Sequence, residues 1–200
     1  HRDLHSFPTR RSSDLAPRTD LDIIFDNSTV DPGNYMFEKM FSGGYFGGLC
    51  LTVLKAAGRE GVLTEETGER LSGLNNLSTN EVNEFVINPF SETNLLCGLI
   101  RDKKDKDNCS EIVNSLIGRA AKLVAANLAA VILHSGKGMS ENRPVLITVE
   151  GTTFNKMYNL QKEFKGYFDN YLSGQRKRYV EFAGVPQSGL VGAALAALIL

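Results

Sequence analysis

Three short turns in this sequence combine glycine with hydroxyl residues where a phosphate or a nucleotide could be held. The first is Ser42-Gly43-Gly44 with Gly47-Gly48 close behind. The second is Glu150-Gly151-Thr152-Thr153, and the third is Ser188-Gly189 with Gly192-Ala193-Ala194. The second and third each follow an apolar stretch that reads as a strand and precede one that reads as a helix. Strand-to-helix turns of this kind aim backbone N–H groups and the positive end of a helix dipole at anions. Each turn alone also reads as ordinary small-residue packing, but two at consecutive strand ends favour a nucleotide cleft. A carboxylate, Glu38, stands just ahead of the first glycine run in Phe37-Glu38-Lys39-Met40. It is either a ligand-facing acid or a surface glutamate favoured by a nearby helix dipole.

Other chemistries find little support. No G-x-x-x-x-G-K-[ST] phosphate loop occurs, and Gly136-Lys137-Gly138 reads as a helix-ending turn. His134 is expected in the last turn of a helix, where a cation suits the dipole. Cys50, Cys97 and Cys109 are odd in number and scattered, without a C-x-x-C. That argues against a zinc site and a disulfide scaffold, and points to a reducing, cytoplasmic setting. With 42% apolar residues, 22% charged residues and a net charge of -1, the 200-residue chain reads as one ordinary globular domain. The charge balance offers no surplus for nucleic acid or anionic lipid. The longest unbroken apolar run, residues 190–200, falls short of the roughly 20 residues a bilayer span needs, so no membrane span is expected.

Residues 1–15 (HRDLHSFPTRRSSDL) behave differently from the rest. Their Arg and Ser content fits a transit peptide. Asp3, Asp14 and the absence of an amphipathic face fit translated sequencing adapter better. On that reading residues 1–15 are a non-native or disordered extension, and residues 16–200 form one domain cut at its N-terminal side.

The elements that must position these residues follow from spacing. Thr19 caps a short helix carrying Leu21, Ile24 and Phe25. Asp31 and Pro32 are expected to open a long helix over residues 32–59. Four glycines in its middle must then either break it or admit something close to its backbone. Short helices are expected over residues 64–71 and 79–87, the latter turning Val82, Phe85 and Val86 inward. Residues 101–108 (RDKKDKDN) read as a solvated turn, and Asn108 with Glu111 as a capping box for a second long helix ending near His134. Its apolar residues wrap most of its circumference, so burial on several sides is expected. Residues 144–149 (PVLITV) read as a buried strand, residues 155–172 as a helix with an aromatic stripe, residues 179–183 as a second strand, and residues 188–200 as a terminal helix. The alternation implies an α/β fold, helix-rich, with parallel pairing and few strands.

These blocks resemble the hexokinase family. Asp31-Pro32-Gly33-Asn34-Tyr35-Met36-Phe37-Glu38-Lys39-Met40-Phe41-Ser42-Gly43-Gly44-Tyr45-Phe46-Gly47 is similar to that family's D-x-x-S-x-N-P-G-x-x-x-(F/Y)-E-K-M-x-S-G-x-Y-x-G stretch, with Asp22, Asp26 and Ser28 at or near its earlier positions. Residues 115–130 (SLIGRAAKLVAANLAA) are similar to its R-A-A-x-L-x-A-x-x-L-A helix. Thr148-Val149-Glu150-Gly151-Thr152 stands where the family has V-D-G-S, and residues 188–195 (SGLVGAAL) where it has S-G-x-G-A-A-L or a bacterial N-L-x-G-x-A variant. Glu150 departs from the usual Asp, Thr152 from Ser, and the last block is one residue longer than its commonest form.

The resemblance implies an incomplete large lobe of an actin-like ATPase, ribonuclease-H-like fold. It implies part of an ATP-dependent hexokinase acting on glucose or a related hexose at the 6-hydroxyl, with Mg²⁺ bound mainly through ATP. By the matching motif Glu38 would bind sugar and Asn34, on the same helix face, would add a contact. Gly43 and Gly44 would admit the nucleotide to the helix backbone. Thr79, Gly151, Thr152, Ser188 and Gly189 would line its adenosine side. The family's catalytic Asp has no counterpart in this chain, so the fragment itself is expected to be inactive and no residue here is assigned as catalytic or metal-binding. The truncated core would favour self-association. A non-catalytic sugar- or nucleotide-binding protein, or a sensor, on the same fold is the alternative.

Overall fold

The structure is a computed structural model, and it describes residues 17–184 and 188–199. Residues 1–15, expected as an extension, lie outside the described residues. Contacts divide the chain into two compact units, His1–Ala120 and Ala121–Leu200.

In the first unit, α1 (Asp20–Ser28) starts as its sequence requires. The Thr19 side chain accepts from the Asp22 N–H, and the Asp22 carboxylate accepts from the Thr19 N–H at 2.7 Å, a reciprocal capping box. The helix expected over residues 32–59 does not form as one element. Residues 31–37 turn, Glu38–Met40 makes a single 3-10 turn, and only then does α2 (Phe46–Arg59) begin. The break begins ahead of the glycine run, and Gly47 and Gly48 ride inside α2. Gly33 at φ 79° and Tyr35 at φ 54° are left-handed, which an α-helix excludes.

Helices α3 (Glu65–Ser72) and α4 (Thr79–Ile87) fall where the spacing predicts, capped by Thr64 and by a Ser78–Glu81 capping box. Val82, Phe85 and Val86 of α4 are buried. A short α5 (Leu95–Leu99) follows, its first N–H groups bonded to the buried Asn94 side chain.

The long helix α6 (Lys103–Ser135) begins five residues before Asn108, so residues 101–108 are not a solvated turn. Asp102 accepts from the Asp105 N–H at 2.9 Å, the capping expected of Asn108. Asn108 instead donates from its side chain to the Val62 carbonyl. Asp105, 2% exposed, explains the early start: its carboxylate accepts from the Thr64 N–H and hydroxyl, tying the first turn of α6 to the cap of α3. The helix is also not buried all round. Val113, Ile117, Ala120, Ala121, Ala125, Ala129 and Ile132 are buried, whereas Leu116, Leu123 and Leu128 are half-buried and Val131 is exposed. By length and composition alone α6 is long and apolar enough to cross a membrane, its most apolar stretch averaging a hydropathy of 1.7. Scattered polar residues interrupt that stretch, so it contains no long unbroken apolar run.

In the second unit, β1 (Val145–Thr148) and β2 (Val180–Ala183) pair in parallel, Val145 opposite Val180 and Thr148 opposite Ala183. These strands are half-buried rather than buried: alternate residues of β1 face out, with Leu146 62% exposed, and Glu181 and Phe182 of β2 are both exposed. The helix expected over residues 155–172 is two, α7 (Thr152–Lys156) and α8 (Leu160–Tyr171), separated where Asn159 adopts φ 56°. Phe164 and Phe168 stack at 5.2 Å, and Phe182 of β2 meets both edge-on. Helix α9 (Ser188–Ile199) closes the described chain.

Candidate functional site

The stretch before α2 is held by a buried lysine. Lys39 is 2% exposed, and its three ammonium protons have three acceptors: an Asp26 carboxylate oxygen, the Thr29 hydroxyl at 2.7 Å and the Asp31 carbonyl at 2.6 Å. The other Asp26 oxygen accepts from the Gly33 N–H at 2.9 Å. Burial pushes the Asp26 carboxyl upward, but the Lys39 and Gly33 hydrogen bonds and the ammonium charge outweigh it and hold it below the ordinary carboxylate value. Asp22, one turn earlier in α1, is held low by the same balance of burial against hydrogen bonds. Arg119 of α6 grips it with two parallel N–H bonds of 2.7 and 2.8 Å. The Arg119 Nε is buried without a partner among the described residues.

Glu38 immediately precedes the buried lysine yet points the other way. It is exposed, and its carboxylate makes no hydrogen bond or ion pair among the described residues. Its carbonyl accepts from the Phe41 and Ser42 N–H groups, so its backbone is fixed while its side chain is free. Asn34 shares no helix face with Glu38, because that helix does not exist here. It sits in the turn and donates its amide to Asp31 at 2.6 Å.

The glycines before and within α2 serve different ends. A Cβ on Gly47 would collide with the backbone of Leu77, Ser78 and Thr79, and one on Gly48 would lie 2.7 Å from the Phe25 ring. Those two are packing glycines. Gly44 meets nothing within 4 Å and has no left-handed φ. The fold's own packing therefore gives no reason for a glycine there.

Thr79, thirty-six residues from Gly43, is brought onto the glycine turn. Its hydroxyl donates to the Gly43 carbonyl at 2.7 Å and accepts from the Gly47 N–H at 3.0 Å, clasping both ends of the turn.

In the second unit two of the small-residue turns meet. The Gly189 N–H, in the first turn of α9, donates to a Glu150 carboxylate oxygen at 3.3 Å. Gly151, at φ 121°, turns the chain from β1 into α7, and Thr152 is exposed at the start of that helix. A cavity of about 340 Å³ opens at the carboxyl ends of the two strands, lined among others by Val149, Phe154, Asn155, Phe182 and Gly184. That is where open α/β sheets hold ligands. A larger hollow of about 490 Å³ lies in the first unit beside Asp22, Arg119, Val53 and Leu116, and neither cavity is lined by any of the residues expected to bind sugar or nucleotide.

Lys39 is the residue that the sequence reading missed. A Lys beside a Glu ahead of a glycine run reads as surface, and nothing local signals that its ammonium is buried against Asp26. The cysteines are all buried and free, and burial with the nearby Asp105 charge pushes the Cys109 thiol up to about 12. Among the described residues no group of three or more His, Cys, Asp or Glu side chains could hold a metal ion.

The family profile for hexokinase matches residues 3–199. Hexokinase-2 of Solanum tuberosum is 26% identical over 199 residues, an alignment covering 94% of this chain and 40% of the relative. Hexokinase-1 of Homo sapiens is 28% identical over 155 residues, covering 74% and 17% respectively. This chain thus spans well under half the length of these relatives. Among solved structures, hexokinase from Schistosoma mansoni complexed with glucose superposes with a TM-score of 0.68 at 21% identity, over 82% of this chain and 38% of that one. Another hexokinase crystal structure gives 0.65 at 17% identity. The two-strand, helix-rich arrangement is accordingly part of the actin-like ATPase fold of those enzymes. A profile match over nearly the whole chain leaves one conclusion: this chain belongs to the hexokinase family.

Proposed function

We propose that this chain is part of an ATP-dependent hexokinase that phosphorylates glucose or a related hexose at its 6-hydroxyl, and that on its own it does not turn over. The observation that carries the reading is Glu38: an exposed carboxylate, unpaired among the described residues, on backbone that its neighbours hold fixed. Such a group accepts two charge-assisted hydrogen bonds and can hold adjacent hydroxyls of a pyranose. Asn34 is retained as a second sugar contact, reached by giving up its bond to Asp31.

Bound ATP with Mg²⁺ would supply the γ-phosphoryl group and neutralise its charge. The chain's residues fit such a ligand in one respect. Gly44 is a glycine that packing does not require, on a turn that Thr79 clasps. Gly43 and Gly44 of the first unit would face the nucleotide with Thr79 setting the turn's shape, and in the second unit Gly151, Thr152, Ser188 and Gly189 are the residues proposed for its adenosine moiety. With no metal cluster among the described residues, Mg²⁺ would arrive on the phosphates.

The test is Glu38→Gln in the complete enzyme that contains this chain, with the isolated chain as the blank. Gln keeps the volume but turns one acceptor into a donor. The KM for glucose should rise and kcat fall, a combined loss of about ten- to a hundredfold in kcat/KM, or roughly 1.5–3 kcal/mol. The KM for ATP should move much less. Unchanged kinetics would make Glu38 a surface acid and remove the basis of this assignment.

A further inference from the structure

We infer that Lys39 is a positioning residue for Glu38, and that the Asp26–Lys39–Asp31 latch presets the sugar-facing carboxylate. The inference rests on the proposed role of Glu38 and assigns a duty to a residue that touches no substrate. Three observations carry it.

The first is saturation. An ammonium has three donors, and all three of Lys39's are spent on one stretch of chain, at Asp26, Thr29 and Asp31. Removing the lysine therefore releases the whole turn over residues 29–39 and not a single contact. The second is the closed circuit. Asp26 holds Lys39 with one oxygen and the Gly33 N–H with the other, so both ends of the excursion are tied to the same carboxylate on α1. The third is opposition. Lys39 is 2% exposed while Glu38, one residue earlier, is exposed. Within a 3-10 turn the direction of one side chain fixes that of its neighbour, so anchoring the lysine inward sends the glutamate outward. The backbone supports the same geometry, with the Lys39 N–H on the Tyr35 carbonyl at 2.9 Å and the Ser42 N–H on the Glu38 carbonyl at 2.8 Å. A preset carboxylate binds sugar without first ordering its loop.

The test uses the complete enzyme with four variants, Glu38→Gln, Lys39→Met, Thr29→Val and the pair Asp26→Asn with Lys39→Met. Steady-state kinetics are read beside amide hydrogen exchange of residues 33–42 without substrate. Lys39→Met should raise the glucose KM at least tenfold, leave the ATP KM within about twofold, and speed exchange at Gly33, Ser42 and the amide of position 39 at least tenfold. The double variant removes the unpaired carboxylate that the single one leaves. It should recover melting temperature but not the glucose KM. Thr29→Val takes away one of three acceptors, folds more safely, and should raise the glucose KM about threefold. If Glu38→Gln weakens glucose while neither Lys39→Met nor Thr29→Val does, or if the double variant recovers the KM along with stability, Lys39 is a structural residue only and the inference is overturned. If Glu38→Gln itself leaves glucose kinetics unchanged, the reading of Glu38 as the sugar carboxylate fails, whatever the latch does.

Discussion

The two units of this chain solve the problem of holding a fold together by opposite means. The first buries charge. Asp22, Asp26, Lys39 and Asp105 are nearly inaccessible, and each is matched by an opposite charge or by N–H and hydroxyl donors. It also holds all of the largest fully buried side chains among the described residues, from Met40, Phe46 and Leu49 to Val113 and Ile117. The second unit is held by aromatic contact. Phe154, Phe164, Phe168 and Phe182 meet edge-on or stacked within 6 Å, and its strand pair and terminal helix leave Leu146, Phe182, Leu190, Leu195 and Leu198 exposed. Apolar surface of that extent on a sheet and one helix is surface made to be covered. The contrast lies in what fills the interior, a polar lattice with large buried side chains in one unit and ring contacts in the other, since the first unit too leaves Val30, Ile87 and Phe90 exposed. Self-association through those faces remains our proposal for the isolated chain.

The sharpest way to break this contrast is acid. Among the described residues the carboxylates held below their ordinary value are Asp22, Asp26 and Asp105, all in the first unit. In each, burial raises the pKa but hydrogen bonds and neighbouring cations lower it further. The unfolded chain then takes up protons first, so the stability these groups contribute is present above about pH 4 and is lost as pH falls through the folded-state values. Two-dimensional amide spectra recorded from pH 7 to pH 2 should lose dispersion in the first unit below about pH 4. Protonation does not touch a ring contact, so amides around Phe164 and Phe168 should keep theirs further down. Loss of both units at one pH would mean that the buried charges are not what distinguishes them.

Arg119→Met is expected to act next most strongly. It strands the Asp22 carboxylate, 5% exposed, without its guanidinium, and breaking a buried pair from one side costs roughly 3–5 kcal/mol. Arg119 keeps part of its side chain in solvent, which places the expected loss at the lower end, about 3 kcal/mol. Thermal unfolding followed at first-unit amides measures it. Adding Asp22→Asn should recover a large part of the loss. A cost below about 1 kcal/mol would mean that the pair behaves as a surface salt bridge.

How much of this was legible in the sequence depends on how local the cause is. The cap at Thr19, the places of α3 and α4, the inward face of α4 and the parallel pairing of two strands all follow from residues a few positions apart. The glycine run raised a break in the long helix as one of two outcomes, but the break starts at left-handed Gly33 and Tyr35, which the run does not mark. Three features were not readable, for one shared reason. Lys39 is buried by Asp26, thirteen residues away. Asp105 is buried by Thr64, forty-one residues away, which is why a stretch of charges that looked solvated begins a helix instead. Thr79 clasps Gly43 and Gly47 from beyond α2. In each case a polar residue's partner is set by the tertiary fold, and its own neighbours in sequence describe a surface. The family motif carries Glu38, Lys39 and Gly43 together, but nothing in it tells that the lysine is buried.

The smallest and most discriminating expectation sets one glycine of each unit against the other. Gly47 of α2 lies against the backbone at residues 77–79, which has no flexible side chain to move aside. Gly166 of α8 is exposed and meets nothing within 4 Å. Alanine is the better helix former at both positions by up to about 1 kcal/mol. At Gly166 that gain is unopposed, so Gly166→Ala should stabilise the second unit by about 0.5–1 kcal/mol. At Gly47 the added methyl must push two backbone segments apart, an overpacking cost of about 1–3 kcal/mol or more. Gly47→Ala should therefore destabilise the first unit by about 1–2 kcal/mol net, despite the same favourable propensity. Exchange protection of first-unit and second-unit amides, measured in both variants, separates the two effects. Opposite signs are what a tightly interlocked first unit and an open second unit require. If both substitutions stabilise, α2 and the start of α4 have room to part, and the glycines of the first unit are not what lets them approach.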